Sequence, residues 1–322
     1  MLKTAICDLF GIEYPIIQGG MAHVATAELV SAVSNAGGLG IIGTGNAEPE
    51  WVREQIRLTR QRTNKPFGVN ILLMSPFAEQ IIEVVLQEKV SVATTGAGNP
   101  GIHISRFKQA GVKVMPVVAS VALAVRLEQT GADAVVAEGM ESGGEVGETT
   151  TMALVPQVVD AVQIPVVAAG GIANGRGLVA ALALGAQGVQ MGTCFVCSEE
   201  CIAHPRYKDK LLKARDRSTV VTGQTTGYPM RCLQNRFTRQ FAELEKAGAS
   251  KEELDLFGRG RVYKGLIEGD IEDGSLLSGQ IAGLISEIKP VKTLIEEMVA
   301  EAEAIITRLK VLHREGVGWL SQ

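Results

Sequence analysis

The chain has 322 residues, 46% hydrophobic and 20% charged, a balance that excludes a disordered chain and permits one large core. A formal net charge of −4 gives no reason to expect a nucleic-acid partner, and no apolar run approaches the roughly 20 residues that span a bilayer. Five cysteines spread over this length suit a reducing compartment, and the first residues lack the apolar core of a signal peptide, so a cytoplasmic protein is expected.

Short runs rich in Val, Ile and Ala fall at residues 14–18, 39–43, 66–72, 90–95, 113–118, 134–138, 164–169 and 188–192. Their starts lie about 21–30 residues apart, the length of one strand–helix unit. Segments 49–61 and 76–88 between them place charged residues on one helical face and apolar residues on the other. Eight such units predict an α/β fold, a closed (β/α)8 TIM barrel with its helices outside. The rival, a doubly wound sheet, carries one glycine fingerprint after its first strand. Here glycines follow nearly every strand: Gly19-Gly20, Gly43-Thr44-Gly45, Gly96-Ala97-Gly98, Gly143-Gly144, Gly170-Gly171 and Gly192. The Gly-x-Gly runs at 38–40 and 43–45 lack the following acid of a dinucleotide site. After the sixth strand, residues 141–152 (ESGGEVGETTTM) are too long for an ordinary connection of about 2–6 residues, which suggests a loop with a task.

Beyond the eighth strand the pattern breaks. Residues 204–240 hold nine basic side chains (Arg206, Lys208, Lys210, Lys213, Arg215, Arg217, Arg231, Arg236 and Arg239) against Asp209 and Asp216, a formal +7. Carried through to Gly283, this stretch reads as a helical cap or lid, 204–283, appended to a barrel made of 1–203 and 284–322. Its basic character fits either a solvated helical face or a dock for a phosphorylated cofactor or an acidic partner. From Val291 to Leu309 apolar residues recur at helical spacing behind Pro290, as expected of the last outer helix.

The strongest local chemical signal is residues 164–193, where Ala169-Gly170-Gly171 and Gly192-Thr193 follow strands seven and eight. Loops at those two positions of a barrel commonly bind a phosphate through backbone N–H groups, and glycine permits close approach. Glycines serving only as turns account for one such loop but poorly for two. Cys194, Cys197 and Cys201 have a spacing that fits one buried helix face better than a metal site, and His103 and His313 are expected at the surface.

Several longer runs carry a resemblance. YPIIQGGMA at 14–22, AGGLG at 36–40 and PFGVN at 66–70 are similar to the nitronate monooxygenase family. TTGAGNP at 94–100, AEGME at 137–141 and GDIEDGSLLSGQ at 269–280 place the resemblance nearest the FMN-dependent enoyl-acyl-carrier-protein reductases of bacterial fatty acid synthesis, over roughly residues 1–310. The resemblance implies FMN, reduced by NADH or NADPH, and hydride delivery to an enoyl thioester on an acidic acyl carrier protein or on CoA. It also implies a homodimer. By the same resemblance Gly20, Met21 and Ala22 would face the flavin ring, and Asn70 would bond the ring or ribityl chain. Glu138, Ser142, Gly143 and Gly144 would lie beside the cofactor, and Ala169, Gly170, Gly171, Gly192 and Thr193 would surround its phosphate.

One departure bears on catalysis. Relatives usually carry histidine after the paired glycines, where this chain has Glu145. Burial could raise the Glu145 pKa until it donates a proton, Glu145 could be silent, or His23 at the mouth could supply the imidazole. A nitronate monooxygenase, or an FMN-binding barrel with impaired turnover, stands as the alternative reading.

Overall fold

In a computed structural model that describes residues 2–317, with side chains through Val311, the eight apolar runs form one curled parallel sheet. The strands are Ile16–Gln18, Leu39–Gly43, Phe67–Leu72, Val92–Gly96, a split fifth strand (Lys113–Val114 and Val117–Val118), Val135–Glu138, Val166–Ala169 and Gly188–Met191. Neighbours pair in chain order, and the first strand pairs with the eighth, Ile16 opposite Val189. The fifth strand closes the ring. Its first half pairs with strand four and its second half with strand six, Val114 opposite Ala93 and Val117 opposite Val136. Pro116, which lacks an N–H, sits at the break, but its carbonyl accepts from Val136 N at 2.9 Å and Met115 N donates to Ala93 O at 2.9 Å.

Side chains alternate across each strand. Ile17, Leu39, Ile41, Val92, Val136 and Val167 fill the barrel interior, whereas Ile42, Val69, Ala93, Val135, Ala168 and Val189 pack outward against the helices. A short helix that the sequence reading did not anticipate, Ala5–Phe10, joins the interior cluster through Ile6, Cys7 and Phe10. It plugs the amino-terminal end, so the other end is the mouth. The final helix, Val291–Val317, packs against helices Ala27–Asn35 and Gly175–Ala183. Glu301 accepts from Gly175 N at 2.8 Å and Ile295 reaches the space over Gly38. No helix among the described residues is long and apolar enough to cross a membrane.

The segment 204–283 adds more than the expected helices. Its strands Thr219–Thr222 and Met230–Leu233 form a hairpin, and Gly144–Glu145 from the loop after strand six pairs on as a third strand. The β-branched run Thr219-Val-Val-Thr222 favours that extension. Helices Arg236–Lys246 and Lys251–Gly258 enclose a small core of Phe237, Phe241 and Leu254, while Tyr207, Leu211, Leu266 and Leu276 join the main core. Several of its cations serve the fold itself. Lys208 Nζ donates to the Ser198 and Cys201 carbonyls, both at 2.6 Å. Buried Arg231 donates to Met140 O at 3.1 Å, Arg236 pairs with Asp273, and Lys210 donates to Ile271 O. Arg206, Lys213, Arg215, Arg217 and Arg239 remain exposed, with no ion pair among the described residues.

Two smaller expectations are corrected. The helix bearing the cysteines spans only Thr193–Val196, so Cys197 caps it and Cys201 lies past a further turn; the three thiols share burial, not a helix face. Burial pushes Cys194 and Cys197 up to about 12, and no acidic, His or Cys cluster among the described residues is arranged for a metal. His103 is buried rather than exposed, 3.4 Å from Glu79, because its helix turns that face against the strand-three connection. The expectation for His313 lies outside the described side chains.

Strand two is held close to its helix at Gly40, where a methyl group would collide with the Val30 carbonyl. Gly40→Ala is expected to cost about 1–3 kcal/mol. Urea denaturation checks this, and an unchanged midpoint would refute the close packing.

Candidate active site

Each residue singled out from the sequence lies at the carboxyl end of a barrel strand or in the loop after it. Gly20, Met21, Ala22 and His23 follow strand one, and Asn70 lies near the end of strand three. Glu138 ends strand six, followed by Ser142, Gly143, Gly144 and Glu145. Ala169 ends strand seven and precedes Gly170 and Gly171, while Gly192 and Thr193 follow strand eight.

Alternation explains which side chains enter the mouth. Ala134 and Val136 point into the barrel, so Glu138, two residues on, points the same way at its rim. Gly20 lets Asn70 in, since a methyl at Gly20 would collide with Asn70 Cβ. Asn70 Nδ2 donates to Thr94 Oγ1 at 3.0 Å, and its carbonyl accepts from Thr44 Oγ1 at 2.8 Å. That orientation leaves Oδ1 without a donor among the described residues.

Glu138 is partly accessible yet surrounded by protein, and burial pushes its carboxyl up to about 7. The Glu145 carboxylate reinforces the rise, and the nearby Ser142 hydroxyl opposes it without reaching hydrogen-bond geometry. Glu145 stands on the hairpin edge opposite Met230, exposed on one side, and partial burial raises its pKa as well. His23 is half-buried in a left-handed conformation (φ 69°), and burial lowers its pKa, which favours neutral imidazole.

Loops six, seven and eight are laced together by groups the sequence did not disclose. Glu141 accepts from Thr151 N at 2.9 Å and from Thr151 Oγ1 at 2.9 Å, capping helix Thr151–Ala161. Gly279 N donates to Thr193 Oγ1 at 2.9 Å, and Gln280 N to Glu141 O at 2.9 Å. Buried Tyr207 anchors that segment through Leu277 O at 2.6 Å. The run GSLLSGQ was visible as a motif; its position against Thr193 and Gly143 was not. Glycines also divide by task. Gly170 is required by packing, since a methyl there would lie 2.8 Å from the Gly139 carbonyl. A methyl on Gly192 would meet only Met21, at 3.4 Å, so protein packing does not demand glycine there.

Unsatisfied groups mark the same region. Ser142 Oγ and Thr95 Oγ1 are buried without a partner, and the N–H groups of Gly170, Gly171, Gly192 and Thr193 donate to no protein acceptor among the described residues. A buried unpaired hydroxyl costs about 1–3 kcal/mol, so such groups call for a ligand's polar atoms.

A barrel with an open ring of donors and carboxyls at the ends of its strands is the framework of an enzyme. The sequence profile of the nitronate monooxygenase family matches residues 3–81 and 76–301, and the chain belongs to that family of flavin oxidoreductases. Among solved structures, FabK from Thermotoga maritima superposes with a TM-score of 0.95 at 51% identity, covering 97% of this chain and 100% of that one. Nitroalkane oxidase from Streptomyces ansochromogenes superposes at 0.85 with 30% identity, covering 95% and 100%. A Mycobacterium tuberculosis protein named (3aS,4S,5R,7aS)-5-hydroxy-7a-methyl-1-oxo-octahydro-1H-indene-4-carboxyl-CoA dehydrogenase is 35% identical over 94% of this chain and 96% of its own.

The raised Glu138 pKa has a consequence for stability. Protonation is favoured in the folded state, so the stabilising contribution is full below the ordinary value of 4.5 and is lost as pH rises through about 7. Glu138→Gln is therefore expected to match the wild type near the acid end and to melt about 2 °C or more higher at pH 8. Thermal unfolding at both pH values checks this, and equal Tm at pH 8 refutes it.

Proposed function

We propose that this protein reduces the trans-2 double bond of enoyl thioesters with NADH or NADPH through FMN, acting in fatty acid elongation on chains carried by an acidic acyl carrier protein. The observation that carries the reading is the Glu138 carboxyl at the mouth, pushed up to about 7 by burial and by the neighbouring Glu145 carboxylate, so that a proton can be held there near neutral pH. Reduction of an enoyl thioester requires a proton at the α-carbon, and a carboxyl of raised pKa is suited to hold one. The 51% identity to FabK supports the same reading.

The residues fit FMN. Free N–H groups at Gly170, Gly171, Gly192 and Thr193 suit its phosphate, and Asn70 Oδ1 and Ser142 Oγ suit polar atoms of the ring or ribityl chain. When bound, FMN supplies hydride transfer from the nicotinamide to the enoyl β-carbon. The protein's own share is positional and protonic. The backbone of Gly20, Met21 and Ala22 forms one wall, fixed against Asn70 and Gly43. Glu138, beside the Glu145 carboxylate, keeps a proton at the rim, and neutral His23 offers a hydrogen bond without adding charge.

Nitronate oxidation is the second reading, favoured by the family profile and by a probable nitronate monooxygenase of Staphylococcus aureus (strain JH9), 36% identical over 76% of this chain and 81% of that one. A flavin barrel with impaired turnover is tested alongside.

Anaerobic NADH or NADPH is expected to bleach the bound flavin, and crotonyl-CoA to restore its colour. Reoxidation by oxygen alone, with nitronate consumed instead, would establish the second reading. Glu145→Gln is expected to lower kcat about 100-fold or more; an unchanged kcat assigns the proton elsewhere. A large gain in Glu145→His would identify the impaired site.

A further inference from the structure

The loop after strand one is clamped from below and touched from above. On the barrel side, a methyl on Gly43 would collide with the Met21 carbonyl, and one on Gly20 with Asn70. Met21 O accepts from Ala25 N at 2.9 Å and from Val24 N at 3.3 Å, which turns the chain sharply. His23 completes that turn with φ of 69°, a left-handed conformation that a residue with a side chain adopts only when its surroundings hold it. Strained positions of this kind cluster at ligand clamps and switch regions.

On the cap side, the holding contact is aromatic. The Tyr263 ring meets the His23 imidazole edge to face, with centroids 5.3 Å apart and planes at 81°. Tyr263 is otherwise 46% exposed, so this ring contact is its main tie to the barrel side. Its helix, Arg261–Leu266, is fixed within the cap. The Arg261 guanidinium lies over the Phe257 and Phe237 rings, at 5.1 and 5.6 Å, and donates to Asp273 O at 3.1 Å. Lys264 pairs with Asp270 at 2.9 Å. The cap's small core is thereby connected, through one ring contact, to the loop that walls the mouth.

We propose that Tyr263 is a positioning residue, a latch by which the cap holds the 20–23 loop over the mouth and whose release opens the mouth to substrate. The inference rests on the reading of that loop as the cofactor-facing wall. Edge-to-face packing needs the ring and not the hydroxyl, so phenylalanine preserves the latch and alanine removes it.

The test uses the FMN-loaded protein and its Tyr263→Ala and Tyr263→Phe variants, with three readouts: His23 titration by NMR, iodide quenching of flavin fluorescence, and kcat and KM with crotonyl-CoA. In Tyr263→Ala, the His23 pKa is expected to rise toward its ordinary 6.5 as the ring uncovers it, and quenching to increase. Its kcat is expected to fall about tenfold or more through misplacement, with flavin content retained. Tyr263→Phe restores all three. The latch is overturned if Tyr263→Ala leaves both titration and quenching as in the wild type, or if Tyr263→Phe behaves as the alanine variant does. Wild-type protein that binds FMN but ignores crotonyl-CoA sinks the reductase reading instead, and the first two readouts still decide the latch.

Discussion

In a closed parallel barrel, each strand can offer the mouth only what its last inward-facing position carries. That constraint governs the two polar side chains that the strands themselves bring to the rim. It turns the apolar sequence Ala134-Val-Val-Ala-Glu138 into a core wall that ends in a carboxyl, and it brings Asn70 inward three residues after Phe67 has packed outward. Closure also sends every carboxyl end to one rim, so residues separated by more than a hundred positions in sequence become neighbours. The chemistry follows from the geometry of pairing rather than from any single motif.

Much of the barrel was legible because its strands are short, β-branched and evenly spaced, and because glycines punctuate their ends. The parts that were not legible lacked periodicity or depended on distant partners. Helix Ala5–Phe10 is too short to show an amphipathic pattern, and its burial comes from strands that follow it. The break at Pro116 is visible as a proline, but only pairing on both sides reveals that it closes the ring. In segment 204–283, charge counting left nine cations as either a solvated face or a dock. Four of them, Lys208, Lys210, Arg231 and Arg236, are engaged with carbonyls or a carboxylate, a use that composition cannot disclose.

The site was legible in the same uneven way. Glycine pairs pointed to the loops at Gly170, Gly171 and Gly192, because special backbone requirements leave a mark on residue type, whereas Gly20, Asn70 and Glu138 came from the resemblance; all of them lie at the carboxyl ends of strands. Cross-loop bonds such as Gly279 to Thr193 leave none, since any residue has an N–H to donate. The pairing of His23 with Tyr263 falls in this class too, joining positions 240 residues apart by a contact between two ordinary side chains. Glu145 is intermediate: its departure from the family pattern is plain in sequence, but its proximity to Glu138 emerges only when the loop folds back as a strand beside Met230.

The placement of the last helix has a kinetic meaning. Strand eight ends at Met191, yet the helix that covers the gap between Ala27–Asn35 and Gly175–Ala183 begins at Val291. On a ribosome adding 5–20 residues per second, that interval amounts to about 5–20 s. Throughout it the nascent barrel bears an open apolar seam where Ile295, Met298 and Ala302 will later lie. The intervening segment thus lengthens the exposure of an unfinished ring, and the long closing contact raises contact order in a fold already dominated by distant pairings.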